Sequence, residues 1–221
     1  MLARHKLRTG IGTMIPENRF STASLCGMNM HYYKDNQDRE HRLTHDVAAF
    51  HRWAISDVLT LSRSDKLFCE FDKQKYGSNG DVDIAVWQNP GEESEVTIGV
   101  EVKVIHLNKN GEFKSEKKFK HNKQIDALIK DGWDYVFFFD FIVVEPSNSW
   151  FHEQAFDGFD KYSKEVKSDI CGHAVFQINS VAHKPESEAG SISSRLIKKP
   201  SRNINDLGRE KVLAALRAYK P

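Results

Sequence analysis

From His41 to about Ser62, apolar residues recur at spacings of three and four: Leu43, Val47, Phe50, Ala54, Val58 and Leu61. That period lines them along one stripe and predicts a helix over 41–62. The period then drops to two. Leu67, Cys69 and Phe71 alternate with polar neighbours, which predicts a strand over 66–73. The turn cluster YGSNG (76–80) follows, then a second strand over 82–88. Past the polar loop NPGEESE comes a third strand over 96–105. A helical pattern returns over 117–131 through Phe119, Ile125, Leu128 and Ile129, with Gly132 where a helix-ending glycine belongs. Tyr135 to Val144 is a near-continuous apolar run broken only by Asp140, the pattern of a strand buried on both faces.

The predicted order is helix, three strands, helix, strand. Three strands joined by short turns favour an antiparallel meander, and the helix before the fourth strand favours a parallel crossover. The expected fold is therefore α/β, a mixed sheet with helices on both faces. Beyond Pro146 the pattern weakens. Residues 150–170 read as helical around Phe151, Phe156, Phe159 and Tyr162, and 174–182 as another strand. Residues 184–203, rich in Ser, Lys and Pro, read as a linker or loop. Residues 206–219 read as a terminal helix with Leu207, Val212, Leu213 and Leu216 inward and Asp206 as its cap. Residues 1–40 are irregular and read as an extension packed on or near the core. The chain thus divides into an extension (1–40), a main domain (41–183) and a basic linker with a short helix (184–221).

Composition changes little in this outline. The chain has 221 residues, enough for one sizeable domain with decoration, and 39% hydrophobic against 29% charged residues suits a globular chain. A net charge of +1 gives no overall positive field to mark a nucleic-acid binder. Locally the charge is uneven. Residues 70–101 hold eight acids and two lysines, whereas 103–123 hold seven lysines and two acids. Cys26, Cys69 and Cys171 fit neither a zinc pattern nor a disulfide framework, so a reducing cytoplasm is expected. No signal peptide is visible, and the run 135–144 is too short to span a bilayer, so no membrane partner is expected.

The chemistry concentrates in SNGDVDIAVWQNPGEESEVTIGVEVKVIHL, residues 78–107. Asp is depleted in strands and a buried charge is costly unless paired or bound to metal, yet this strand pair carries Asp83, Glu101 and Lys103. Glu101 and Lys103, two apart, share a face, and Val100, Val102 and Val104 point to the other. If the strands pair, Asp83 converges on Glu101. Two adjacent carboxylates repel unless one is protonated or a cation sits between them. Hard oxygen donors suit Mg²⁺ or Mn²⁺, which would keep water ligands and meet substrate phosphate. The Lys103 ammonium could then orient the attacking water or neutralise charge developing on phosphorus.

Asp83, seventeen residues and then Glu101-Val102-Lys103 on two adjacent strands, framed by helices, resembles the PD-(D/E)xK nuclease superfamily with its restriction-endonuclease-like αβββαβ core. The resemblance covers about 41–144. It implies that Asp83 and Glu101 bind metal and that Lys103 assists the water. Val82 stands where the family's proline would be. It further suggests Glu70 as a third ligand or a supporting acid, although an exposed strand charge explains Glu70 as well. Gln124, on the helix after ExK, matches a position that several branches aim at the scissile phosphate; Lys120 competes for that role, and a solvated helix face explains either. The implied activity is a Mg²⁺-dependent endonuclease, acting on DNA rather than RNA, in phage defence or restriction. Such enzymes often act as homodimers or with partner proteins. The alternative is a non-catalytic nucleic-acid-binding or assembly subunit that keeps the fold. Lys117, Lys118, Lys120 and Lys123 follow the motif and are candidates for phosphate contact, with a solvated helix face as the other reading.

Overall fold

The computed structural model describes residues 21–24, 52–107, 121–144, 166–180 and 190–219. Strands β1 (Ser21–Ser24), β2 (Lys66–Asp72), β3 (Asp81–Gln88), β4 (Val96–Leu107), β5 (Tyr135–Val144), β6 (Gly172–Ser180) and β7 (Gly190–Lys198) form one seven-stranded sheet in the order β1-β7-β6-β5-β4-β3-β2. Helices α1 (Arg52–Leu59), α2 (His121–Asp131) and α3 (Asp206–Ala218) cover its faces. The chain is a mixed α/β fold, as the periodicity predicts. β2, β3 and β4 form the antiparallel meander, and β4 and β5 run parallel across the α2 crossover. No helix among the described residues is long and apolar enough to cross a membrane.

The two faces bury different sets of side chains. On one, Ile55, Val58 and Leu59 of α1 pack on Ile84, Val86, Ile98, Val100, Val102, Phe137, Phe139, Phe141 and Phe176. On the other, Ile125 and Leu128 of α2 and Val212, Leu213 and Leu216 of α3 pack with Ala85, Trp87, Trp133, Val136 and Phe138. β5 feeds both with alternate residues, which is why its sequence is nearly continuous in apolar type. Each fully buried Phe, Leu or Ile contributes about 1.5–3 kcal/mol by leaving water. Gly99 makes room for Trp133: a Cβ there would lie 2.9 Å from the indole. Gly132 ends α2 at φ +96°, and a Cβ on it would lie 2.4 Å from the backbone nitrogen of Arg209, so α2 and α3 meet backbone to backbone at this point.

Several expectations change. The first helix, where described, ends at Leu59 rather than Ser62, with Thr60 in the left-handed region at φ 56°; residues 41–51 lie outside the described residues. The segment expected as a linker contains β7, which pairs with β6 and with β1 of the N-terminal extension. Its serines have little intrinsic strand preference, and neighbours on both sides supply the ladder instead. The α3 cap is Asn205, whose Oδ1 accepts from Gly208 N at 3.1 Å; Asp206 is the first helical residue. Leu207 is exposed, because it lies on the opposite side of α3 from Val212 and Leu216. Of the helix expected over 150–170, the described residues 166–170 are irregular.

Candidate active site

β3 and β4 pair from Gln88↔Val96 to Ile84↔Val100 and no further, while β4 continues to Leu107 alongside β5. The two strands therefore fork at the level of Asp83 and Glu101. The fork opens an N–H on β4, and Asp83 fills it: its Oδ2 accepts from Val102 N at 2.6 Å. A side-chain carboxylate stands where the next ladder carbonyl would be.

The same level is irregular on the outer side. The β2–β3 ladder runs Lys66↔Trp87 to Cys69↔Ile84 and resumes at Phe71↔Val82, leaving Glu70 opposite Asp83 without a ladder bridge. Glu70 has φ 50°, an uncommon conformation for a non-glycine residue. Cys69 and Ile84 belong to the α1 side, but Phe71 and Val82 belong to the α2 side. Regular alternation would put all four on one side. Both strands thus change face by one residue at Glu70 and Asp83. Backbone strain of this kind costs about 1–3 kcal/mol per residue. Half-buried Cys69 senses both acids: its thiol is pushed up to about 11, first by burial and then by the Glu70 and Asp83 carboxylates.

Glu101 and Lys103 point to the α2 side, as the alternation predicts. Glu101 is 1% exposed, and Lys103 Nζ lies 2.7 Å from its Oε1. In the parallel ladder Glu101 pairs with Phe138 and Lys103 with Asp140, and on the next strand Phe138 pairs with His173. Asp140 and His173 are buried, with His173 Nε2 2.7 Å from Asp140 Oδ2. A carboxylate only accepts, so Nε2 carries the proton of that bond. His121, the first residue of α2, is buried and stacks on Phe138 with 4.7 Å between ring centres. A polar file thus crosses three strands under α2. Ionic groups cost several kcal/mol each to desolvate, so hydrophobic residues here would be the cheaper way to pack the same space.

The remaining sequence candidates scatter. Glu70 is half-buried beside Asp83, while Lys123 and Gln124 are exposed on α2. His121, rather than Gln124, is the α2 side chain that reaches the Glu101 row. Lys117, Lys118 and Lys120 lie outside the described residues. Sequence reasoning missed Asp140, His173 and His121. The one signal was Asp140, a charge inside an apolar strand; His173 and His121 have no local pattern, since only the sheet order brings them together.

Among the described residues no three His, Cys, Asp or Glu side chains form a metal-holding group by themselves. Mg²⁺ is commonly held by only one or two carboxylates, with waters and substrate phosphates as its other ligands. The donor chemistry of Asp83 and Glu101 fits that mode, and the Lys103 ammonium on Glu101 shows a positive charge already accommodated there. No protein-family model matches the chain, and no curated protein matches its sequence.

Proposed function

We propose that this chain is a divalent-metal-dependent nuclease with a restriction-endonuclease-like core, hydrolysing phosphodiester bonds in DNA. The observation that carries the reading is the fork: β3 and β4 diverge just beyond Ile84 and Val100, where Asp83 and Glu101 stand on the two prongs with Lys103 beside them. Asp83 and Glu101 would hold Mg²⁺ or Mn²⁺, with Glu70 near enough to Asp83 to support it. When bound, the metal would polarise the phosphate and lower the pKa of a coordinated water. Lys103, with three N–H donors on one ammonium, would orient the attacking water and offset the charge on phosphorus. Phe138, buried beside Glu101 on the adjacent strand, keeps bulk water from that carboxylate, which strengthens its charge interactions. Positive charge for the DNA backbone would come from the lysines that follow the motif, Lys117, Lys118, Lys120 and Lys123. The setting we propose is cytoplasmic phage defence or restriction, with a homodimer or a partner protein supplying the second cut of a duplex.

Plasmid nicking in Mg²⁺ or Mn²⁺, against EDTA, tests the activity. Metal-dependent nicking that is lost in Asp83→Asn supports the nuclease. DNA binding without any cleavage would leave the non-catalytic subunit as the reading.

A further inference from the structure

We propose that Asp140, fixed by His173, is the carboxylate that carries Lys103 when a divalent cation claims Glu101, so that the Asp140–His173 pair positions Lys103 for its work. The inference rests on the metal reading above and goes beyond the three motif residues.

Lys103 bonds the same carboxylate that the motif assigns to metal, with Nζ 2.7 Å from Glu101 Oε1. A divalent cation on that carboxylate repels the ammonium. The displaced lysine has little access to water, since its side chain is only 14% exposed. A buried ammonium that gives up a carboxylate loses stabilisation that the surrounding protein must make good. That loss would weaken metal binding unless a second carboxylate stood within reach.

Asp140 stands there. It is the register partner of Lys103 on the adjacent parallel strand, and neighbouring strands lie about 4.8 Å apart. Even residues of β5 and odd residues of β4 face the same α2 side, so the two side chains project from the sheet in parallel. Asp140 is 1% exposed and held by His173 Nε2 at 2.7 Å. A carboxylate accepts at both oxygens, so the histidine at Oδ2 fixes the group without exhausting it. Phe138 flanks His173 at 5.3 Å between ring centres and is itself covered by His121, which shields the Asp140–His173 bond from solvent. With one donor on Asp140, the ammonium keeps two for water and phosphate.

The test is Mn²⁺ binding by titration calorimetry on the full chain: wild type, Asp140→Asn, Lys103→Met, the double variant and Asp83→Asn. Asp140→Asn should weaken Mn²⁺ about tenfold or more, in the range seen for groups that support metal ligands from behind. In the Lys103→Met background the same change should cost less than about twofold, since no ammonium is left to rehouse. Equal weakening in both backgrounds would assign Asp140 a structural role and overturn the proposal, as would no weakening in either. If Asp83→Asn binds Mn²⁺ like wild type, the metal reading itself fails, which is a different result from an Asp140 effect that is absent while the Asp83 effect is present. Should Asp140→Asn not fold, a crystal structure of the wild type with Mn²⁺ decides: Lys103 Nζ within hydrogen-bond distance of Asp140 supports the proposal, and Nζ still on Glu101 refutes it.

Discussion

Asp134 and Glu101 are each 1% exposed, beside the same two strands, yet their surroundings differ in kind. Asp134 closes the paired end. Its Oδ2 accepts from Thr97 N at 2.9 Å and Thr97 Oγ1 at 3.1 Å, and Arg209 Nε binds both its oxygens, at 2.9 and 3.1 Å. Arg202 adds a further contact, and Asn203 N donates to the Asp134 carbonyl. Nearby Glu95 is held by Trp87 and Arg217. These bonds tie α3 to the start of β4 and β5. At the forked end Lys103 sits on Glu101, the Val102 N–H on Asp83 and His173 on Asp140. The closed end uses its acids as fasteners, with rigid arginine forks and backbone amides; at the open end Glu101 is bonded by a single-point lysine ammonium, which on the proposed reading a metal ion would displace. Two acids of equal burial thus differ in what holds them, and burial by itself does not tell them apart.

The largest expected effect is on cleavage. Asp83→Asn, Glu101→Gln and Lys103→Ala should each slow plasmid nicking by about a hundredfold or more, the size of a lost general-acid, general-base or electrostatic group. The melting temperature of Asp83→Asn should hold, since the amide oxygen can still accept from Val102 N, whereas Glu101→Gln should melt lower because it takes the carboxylate away from the buried Lys103 ammonium. Wild-type nicking by Asp83→Asn would remove the distinction between the two ends. The reciprocal change is Asp134→Ala, which strands Arg209 and Thr97. It should cost about 3 kcal/mol or more, a fall in Tm of about 6 °C or more for a chain of this size, with Mn²⁺ affinity unchanged in the folded protein. A drop in metal affinity instead would show that the two ends are coupled.

Replacing Lys117, Lys118 and Lys120 by alanine should weaken DNA binding alike for unrelated sequences. The log–log salt slope should flatten by about 0.9 for each lost phosphate contact, read from binding titrations over a salt series. An unchanged slope would shift attention to Arg195, Lys198, Lys199, Arg202, Arg209 and Lys211, of which Arg202 and Arg209 already serve Asp134. The smallest effect concerns the thiols. Burial pushes Cys171 up to about 12, whereas Cys69, at the fork, owes some of its rise to about 11 to Glu70 and Asp83. Glu70→Gln should lower the Cys69 pKa and speed its alkylation between pH 9 and 11, leaving Cys171 as it was; peptide mass spectrometry reads both. Because the unfolded chain releases these protons first, near the ordinary thiol value of 9.0, stability falls as pH rises from there towards 12.

The meander, the crossover helix and the doubly buried strand were legible because each rests on a local period: three to four in α1 and α2, two in β2, continuous in β5. The shared face of Glu101 and Lys103 follows from the same period. The fork at Ile84 and Val100 was not legible, since nothing in DVDIAV says where pairing stops, nor was the change of face at Glu70, which is a backbone conformation rather than a residue type. β7 was hidden by serines whose strand role comes from β1 and β6. The Asp140–His173 bond joins residues on different strands through sheet order alone, which no local window contains.

β7 also bears on how the chain assembles. Its neighbours are β6, from just before it, and β1, from the opposite end of the sequence. On the ribosome, β1 emerges long before the strand it must pair with, and β6 presents an open hydrogen-bonding edge until residues 190–198 clear the exit tunnel. The wait is a long-range closure of the kind that slows folding. It is also an interval in which another chain's strand could take the empty place beside β6. Expression at high concentration should therefore favour strand-exchanged oligomers, and slowed initiation should reduce them.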